Sequence, residues 1–212
     1  DILERKPNPN LQLCVFSNLN SPDSSWNRYL GRIKDLQAAG NIGVFDLTAS
    51  IDCWGPQQSY VRSGLDLDVF ETRFAWASEQ GSWLGLNANQ TITAMTMKTM
   101  PDLIRVLARY GKNKIIGHWF QFYTGPQMFQ HPQIFAYNEW ADTFNEIFAI
   151  MPTENDEQRD AIIRMQGIQK LLQQSTVNNW TEIRKLQIYL DELDRRRGTN
   201  WRSLFPFIDA HE

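Results

Sequence analysis

Cysteine is scarce in this chain: only Cys14 and Cys53 occur in 212 residues, 39 positions apart and in no CxxC pairing. That spacing speaks against a disulfide framework or a cysteine-based zinc site and suits a reducing compartment, so a cytoplasmic location is expected. Long apolar runs are lacking too. No stretch of about eighteen apolar residues occurs and no basic-then-apolar leader opens the sequence, so neither a membrane-spanning helix nor a signal peptide is read. Positive charge is not concentrated anywhere. The net charge is -3 with Lys and Arg scattered, which leaves no basic stripe for a nucleic-acid backbone and no basic amphipathic segment for a lipid surface. Internal repeats and low-complexity tracts are also missing. The first residue is Asp1 instead of Met, which raises the expectation that the chain begins inside a longer one.

What is present is 42% apolar and 12% aromatic content, enough for a substantial core. Between residues 11 and 123 short strand patterns alternate with longer helical ones. Leu11–Ser17, Gly43–Asp52, Trp83–Thr91 and Lys114–Tyr123 read as strands. Between them lie a cap-rich turn feeding a helix that Gly40 ends, a helix from Asp68 to Gln80, and a Met100, Leu103, Ile104, Leu107 stripe. Met95, Met97 and Met100 read as ordinary core packing. Strands separated by helices of this length predict βαβ units and a parallel sheet. After Tyr123 the rhythm breaks at Gly125, Pro126 and Pro132, and three helical stripes follow. The last is opened by Asn179 with Glu182 three residues on, and carries DELDRRR on its expected solvent side. Four parallel strands cannot close a barrel that takes eight. The chain is therefore an open α/β sheet or part of a larger barrel, and Asp1 as first residue favours the second.

Polar side chains gather where these strands end. Thr48, Ser50 and Asp52 alternate with Leu47, Ala49 and Ile51; Asn87, Asn89 and Thr91 alternate with Leu84, Leu86 and Ala88. Ser17 and Asn18 close the first strand, His118 lies in the fourth, and Arg62 stands at the apparent start of a helix. Singly, each has a plain reading: Asp52 as a turn former, the asparagines as backbone partners, His118 as a packed ring, Arg62 as a solvated helix residue. Jointly, on successive strand exits of a parallel α/β scaffold, they mark a binding rim of amides, hydroxyls, one carboxylate and an imidazole.

The run SIDCWGPQQSYVRSGLDLDVFE resembles the segment of radical SAM enzymes in which a strand ending Ser-x-Asp is followed by a tyrosine, an arginine, a glycine and a helix. VFSNLN and LNANQTITAMTMKTMPDLI are similar to the strands on either side. LDELDRRRGTNWRSLFPFI resembles the closing helix of twitch domain-containing radical SAM proteins. The likeness covers roughly residues 8 to 122 and 180 to 208. It implies a partial (βα)6 TIM-like barrel with S-adenosylmethionine across the strand ends beside a 4Fe-4S cluster, which cleaves it reductively so that hydrogen is taken from a substrate. Carried over, Ser50 and Arg62 hold the methionine carboxylate. Ser17, Asn18, Asp52 and Asn89 face the ribose, amino group or substrate; Asn87 completes the expected cofactor set, and His118 is the substrate-binding candidate. The cluster-binding CxxxCxxC and the GGEP-type motif of the family are missing.

The resemblance thus implies a C-terminal portion, with residues 1–124 a partial barrel and 125–212 a helical twitch-like region. Such a piece is inactive alone, because the cluster ligands lie outside it, and its spare cysteines are too few for a second cluster. A missing N-terminal half or a partner chain is expected to cover the exposed sheet edge at the first strand. The alternative is a non-catalytic nucleoside-binding or scaffold module derived from the barrel. A metal-free hydrolase using Asp52 and His118 is the weakest reading, because no nucleophile stands beside a base.

Overall fold

The computed structural model describes residues 2–111 and 116–211. Four strands, β1 (Asn8–Ser17), β2 (Ile42–Ser50), β3 (Leu84–Ile92) and β4 (Ile116–Phe122), form one sheet in the order β1-β2-β3-β4, every pair parallel. The fold class expected from the alternating pattern is therefore present as an α/β sheet. Lys114, the expected start of the fourth strand, lies outside the described residues, as does Ile115. Among the described residues no strand follows β4 and none pairs with the outer edge of β1.

Each strand is joined to the next through helices: α2 (Asp23–Ala38) after β1, α3 (Pro56–Val61) and α4 (Leu67–Ser78) after β2, α5 (Met100–Tyr110) after β3; a short α1 (Ile2–Arg5) precedes β1. Local chemistry sets their ends. Gly40 adopts φ 73° past the end of α2, so that its N–H bonds the Gln37 carbonyl and Asn41 N–H reaches back to Leu36. Those two bonds satisfy carbonyls the helix would leave unpaired. At the start of α4 the Asp66 carboxylate accepts from the N–H groups of Asp68 and Val69, an N-cap worth about 1 kcal/mol.

Strand periodicity then divides the sheet into two unlike faces. Leu13, Val15, Phe45, Leu47, Ala49, Leu84, Leu86, Ala88 and Ile116 lie on one face, against Trp26, Leu30, Ile33 and Leu36 of α2, Phe70 and Phe74 of α4, and Leu103 and Leu107 of α5. The connecting helices thus share one side, as a sequential strand order with crossovers of one hand requires. Gln12, Cys14, Phe16, Val44, Asp46, Ser50, Asn87, Asn89, Trp119 and Gln121 occupy the other face and stay partly or fully exposed.

The remaining helices, α6 (Ala141–Ile150), α7 (Asp156–Leu172), α8 (Trp180–Arg197), α9 (Trp201–Leu204) and α10 (Pro206–Asp209), build a second core. Trp140, Phe144, Met165, Leu186, Leu190, Trp201 and Phe205 pack there with Ile92, Met95, Met97 and Met100, so the methionines are core residues as expected. This core sits over the C-terminal end of β3 and the start of α5. Helix α7 also lies along β4, where Arg164 Nη1 donates to the His118 carbonyl at 3.2 Å. Asn179 accepts from Glu182 N–H at the start of α8, whereas the reciprocal capping box forms at α7 between Asn155 and Gln158. No described helix is long and apolar enough to cross a membrane.

Candidate functional site

The open face is shaped by two glycines. A Cβ on Gly85 would lie 1.9 Å from Asp46 Oδ1, and one on Gly117 2.2 Å from Asn87 Oδ1. The carboxylate and the amide therefore lie flat over the neighbouring strand, as only glycine permits. Gln12 Nε2 donates to Asp46 Oδ2 at 2.6 Å, and Cys14 Sγ stands 3.6 Å from Thr48 Oγ1. Phe16 on β1 and Trp119 on β4 meet edge to face with ring centroids 6.4 Å apart. Three strand spacings would hold those strands about 14 Å apart in a flat sheet, so the rings lean inward over a concave surface. Thr48, on the same face, is fully buried.

Toward the strand exits the face becomes more polar. Ser50 pairs in register with Asn89, and Asn89 with Trp119; Asn87 lies one pleat below, between Thr48 and Gly117. Beyond Ser50 the backbone turns through Gly55 at φ 85° into α3. Gln58, fully buried in α3, receives the N–H groups of both Asp52 and Cys53 on its Oε1, at 3.1 and 2.9 Å. Arg62 does not open a helix, as its place in the sequence suggests; it closes α3, its N–H bonded to the Gln58 carbonyl. From there its guanidinium returns to Asp52, Nε to Oδ2 at 2.6 Å and Nη2 to Oδ1 at 3.0 Å. Thr91 N–H also donates to Asp52 Oδ1, at 2.9 Å. The carboxylate hydrogen bond is the main reason the guanidinium is held even more firmly protonated than usual. Asp52 therefore ties the end of β2 to the end of β3, and two of the Arg62 nitrogens are engaged in that tie.

The structure brings Ser50, Asn87 and Asn89 onto one concave face with Asp52 and Arg62 at its exit. It does not bring Ser17 or His118 there, and Asn18 lies past the end of β1. Ser17 is in register with Ala49 on the helix side, lining a cavity of about 650 Å³ beside Val15, Leu30 and Leu47, and its Oγ accepts from Leu19 N–H. Asn18 is exposed and accepts from Asn20 N–H, an Asx turn that supports Leu19 at φ 57°. His118 is in register with Ala88 on the helix side, against Gln90 and stacked on Phe120. Desolvation lowers its pKa to about 4, so the ring is neutral near pH 7. Asp52 and His118 thus serve different faces, and the geometry offers no acid–base pair between them.

Several residues at this site were not singled out from the sequence. Gln58 shapes the turn, Phe16 and Trp119 arch over the face, and Tyr60 links α3 to α8. The charged end of α8 is also less solvated than its composition suggests. Arg195 and Arg196 do pair outward with Glu192, but Asp194 turns in to accept from Tyr60 OH, Thr199 Oγ1 and Trp201 N–H. The segments SYVR and LDELDRRRGTNW hold the two halves of that link, and their pairing in space is not readable from either alone.

No family model, curated protein or solved structure matches the chain.

Proposed function

We propose that this chain is the C-terminal part of a radical SAM protein and that its concave sheet face carries S-adenosylmethionine. The observation that carries the reading is the register of Ser50 with Asn89 on the open face, beside an arginine anchored at the exit of β2. Sequential parallel strands with their helices on one side are also the arrangement of a barrel arc, and a partial (βα)6 barrel would place that face inward. In that setting a hydroxyl and two amides would replace water around the ligand's ribose, amino and carboxylate groups. Arg62, with two nitrogens committed to Asp52, would offer the carboxylate its third.

The cluster does not fit this chain. Three thiolates are needed, and the two cysteines lie apart: Cys14 on the concave face next to Thr48, Cys53 buried beyond the end of β2. Burial pushes the Cys53 thiol up to about 12, which opposes the thiolate form a ligand needs. Under this reading the iron ligands belong to an N-terminal half or a partner chain that adds strands along the outer edge of β1.

The test is to express the whole coding region from which this chain comes and reconstitute it anaerobically with iron and sulfide. Methionine and 5'-deoxyadenosine are then measured under reduction with S-adenosylmethionine. Formation of both is expected. A cluster-bearing parent that forms neither overturns the reading; if it still binds S-adenosylhomocysteine, the nucleoside-binding module takes its place.

A further inference from the structure

Helix α3 has only six residues, too few to hold its shape through its own hydrogen bonds. Gln58 ties it to the end of β2, and its other supports come from the far end of the chain. Gln57 Nε2 donates to the Leu204 carbonyl at 3.1 Å, and the Tyr60 ring meets Phe205 edge to face at 5.4 Å. Tyr60 OH donates to Asp194 Oδ1 at 3.0 Å, and Arg197 Nη1 donates to the Tyr60 carbonyl at 2.9 Å. Asp194 is itself fixed. Gly198 takes φ 67° past the end of α8, and the returning chain brings Thr199 Oγ1 and Trp201 N–H onto the same carboxylate, at 2.6 and 2.7 Å. The end of α8 therefore grips Tyr60, two residues before Arg62, while Asp52 grips Arg62 from the sheet side.

We propose that the end of α8 is a positioning element for the Arg62 guanidinium, with Arg197 and Asp194 as its positioning residues. This rests on the reading of the concave face as an S-adenosylmethionine site. Neither residue needs to touch the ligand. Arg197 caps the Tyr60 carbonyl at the end of α3 and Asp194 fixes the hydroxyl of the same tyrosine, so the helix cannot swing away from β2 and take the arginine with it. The C-terminal segment is then a working part of the site as well as a share of the second core.

The experiment uses the full chain, labelled with nitrogen-15 at arginine, with the Arg62 Nε–H resonance assigned by Arg62→Lys. Solvent exchange of that Nε–H and affinity for S-adenosylhomocysteine are measured in wild type, Arg197→Ala, Arg197→Lys and Tyr60→Phe. Arg197→Ala is expected to speed exchange about tenfold and weaken binding by a similar factor. Arg197→Lys, which keeps one donor to the Tyr60 carbonyl, restores both. Tyr60→Phe keeps the ring, loses the bond to Asp194 and shifts both in the direction of the alanine variant. Unchanged Arg62 exchange in Arg197→Ala and Tyr60→Phe, or faster exchange with unaltered affinity, overturns the proposal. A wild-type chain that does not bind S-adenosylhomocysteine overturns the ligand reading, and the exchange comparison still decides whether α8 sets Arg62.

Discussion

Arg62 and Asp52 form a two-point ion pair ten residues apart in sequence, and the same carboxylate receives Thr91 N–H from the next strand. The Asp52 side chain is 8% exposed and that of Arg62 32%, so the pair is largely withdrawn from water. Removing one partner from such a pair leaves the other charge with little solvation.

Asp52→Ala is therefore expected to destabilise the fold by about 2–4 kcal/mol, because a guanidinium and a backbone N–H both lose their acceptor. Asp52→Asn keeps an oxygen for Thr91 and should cost less. Urea midpoints for the two variants check the order; equal midpoints would show that the Thr91 bond contributes nothing and that the whole cost lies in the lost ion pair.

Two glycines should respond differently to alanine. A Cβ on Gly43 would meet the Pro9 carbonyl oxygen at 2.2 Å, and only movement of β1 relieves that. A cost of about 2–3 kcal/mol is expected, in the range of overpacked core positions. On Gly117 the obstacle is the tip of the Asn87 side chain, which can rotate away, so about 1 kcal/mol is expected. Because that clash is with one side chain, Asn87→Ala should remove most of it, and the double variant should be more stable than the sum of the singles predicts.

Much of this fold was legible because strand periodicity is strict. Wherever apolar and polar residues alternate cleanly, as in Phe45–Asp52 and Leu84–Asn89, the two faces of the sheet follow directly. On β1 the pattern is blurred, since Cys14 and Phe16 are apolar side chains on the open face. A place at a strand end therefore does not fix the face that Ser17 takes, and its register with Ala49 puts it on the helix side. Arg62 reads as a helix start because SGLDLD leads into a new helix, α4, just beyond it, whereas it closes α3. Asp194 was hidden in a charge run whose neighbours do pair with each other on the surface; its inward turn depends on the left-handed Gly198 folding the chain back.

The position of His118 sets a pH dependence. Its folded pKa of about 4 lies below the ordinary value of 6.5, so between those pH values the unfolded chain binds the proton that the folded chain excludes. The stability conferred by keeping the ring neutral is complete above pH 6.5 and is lost as pH falls through the folded value. The slope contributed by this one group is at most about 1.4 kcal/mol per pH unit. His118→Gln should flatten the curve of stability against pH over that window; a curve that keeps its slope assigns the effect to other groups.

The two thiols should differ in reactivity. Cys14 is exposed on the open face, whereas Cys53 is buried with its thiol pushed up to about 12. Ellman's reagent at pH 8 is expected to titrate one thiol in the folded chain and two in guanidinium chloride. Rapid reaction of both in the folded state would mean that the turn after β2 opens readily, and with it the Asp52 tie.

Ser50 and Asn89 separate ligand binding from folding more cleanly than any other pair here. They lie on the face that no described helix covers, and neither anchors a turn or a cap, so Ser50→Ala and Asn89→Ala should each stay within about 0.5 kcal/mol of wild-type stability. A hydrogen bond to a charged ligand group contributes about 1.5–3 kcal/mol, so the same variants should weaken binding of S-adenosylhomocysteine roughly tenfold or more. Calorimetric titration beside a urea melt checks both halves at once. If stability falls and affinity does not, these side chains support the sheet and the ligand site lies elsewhere. If affinity falls at unchanged stability, the concave face itself makes the contact, because no folding defect is left to account for the loss.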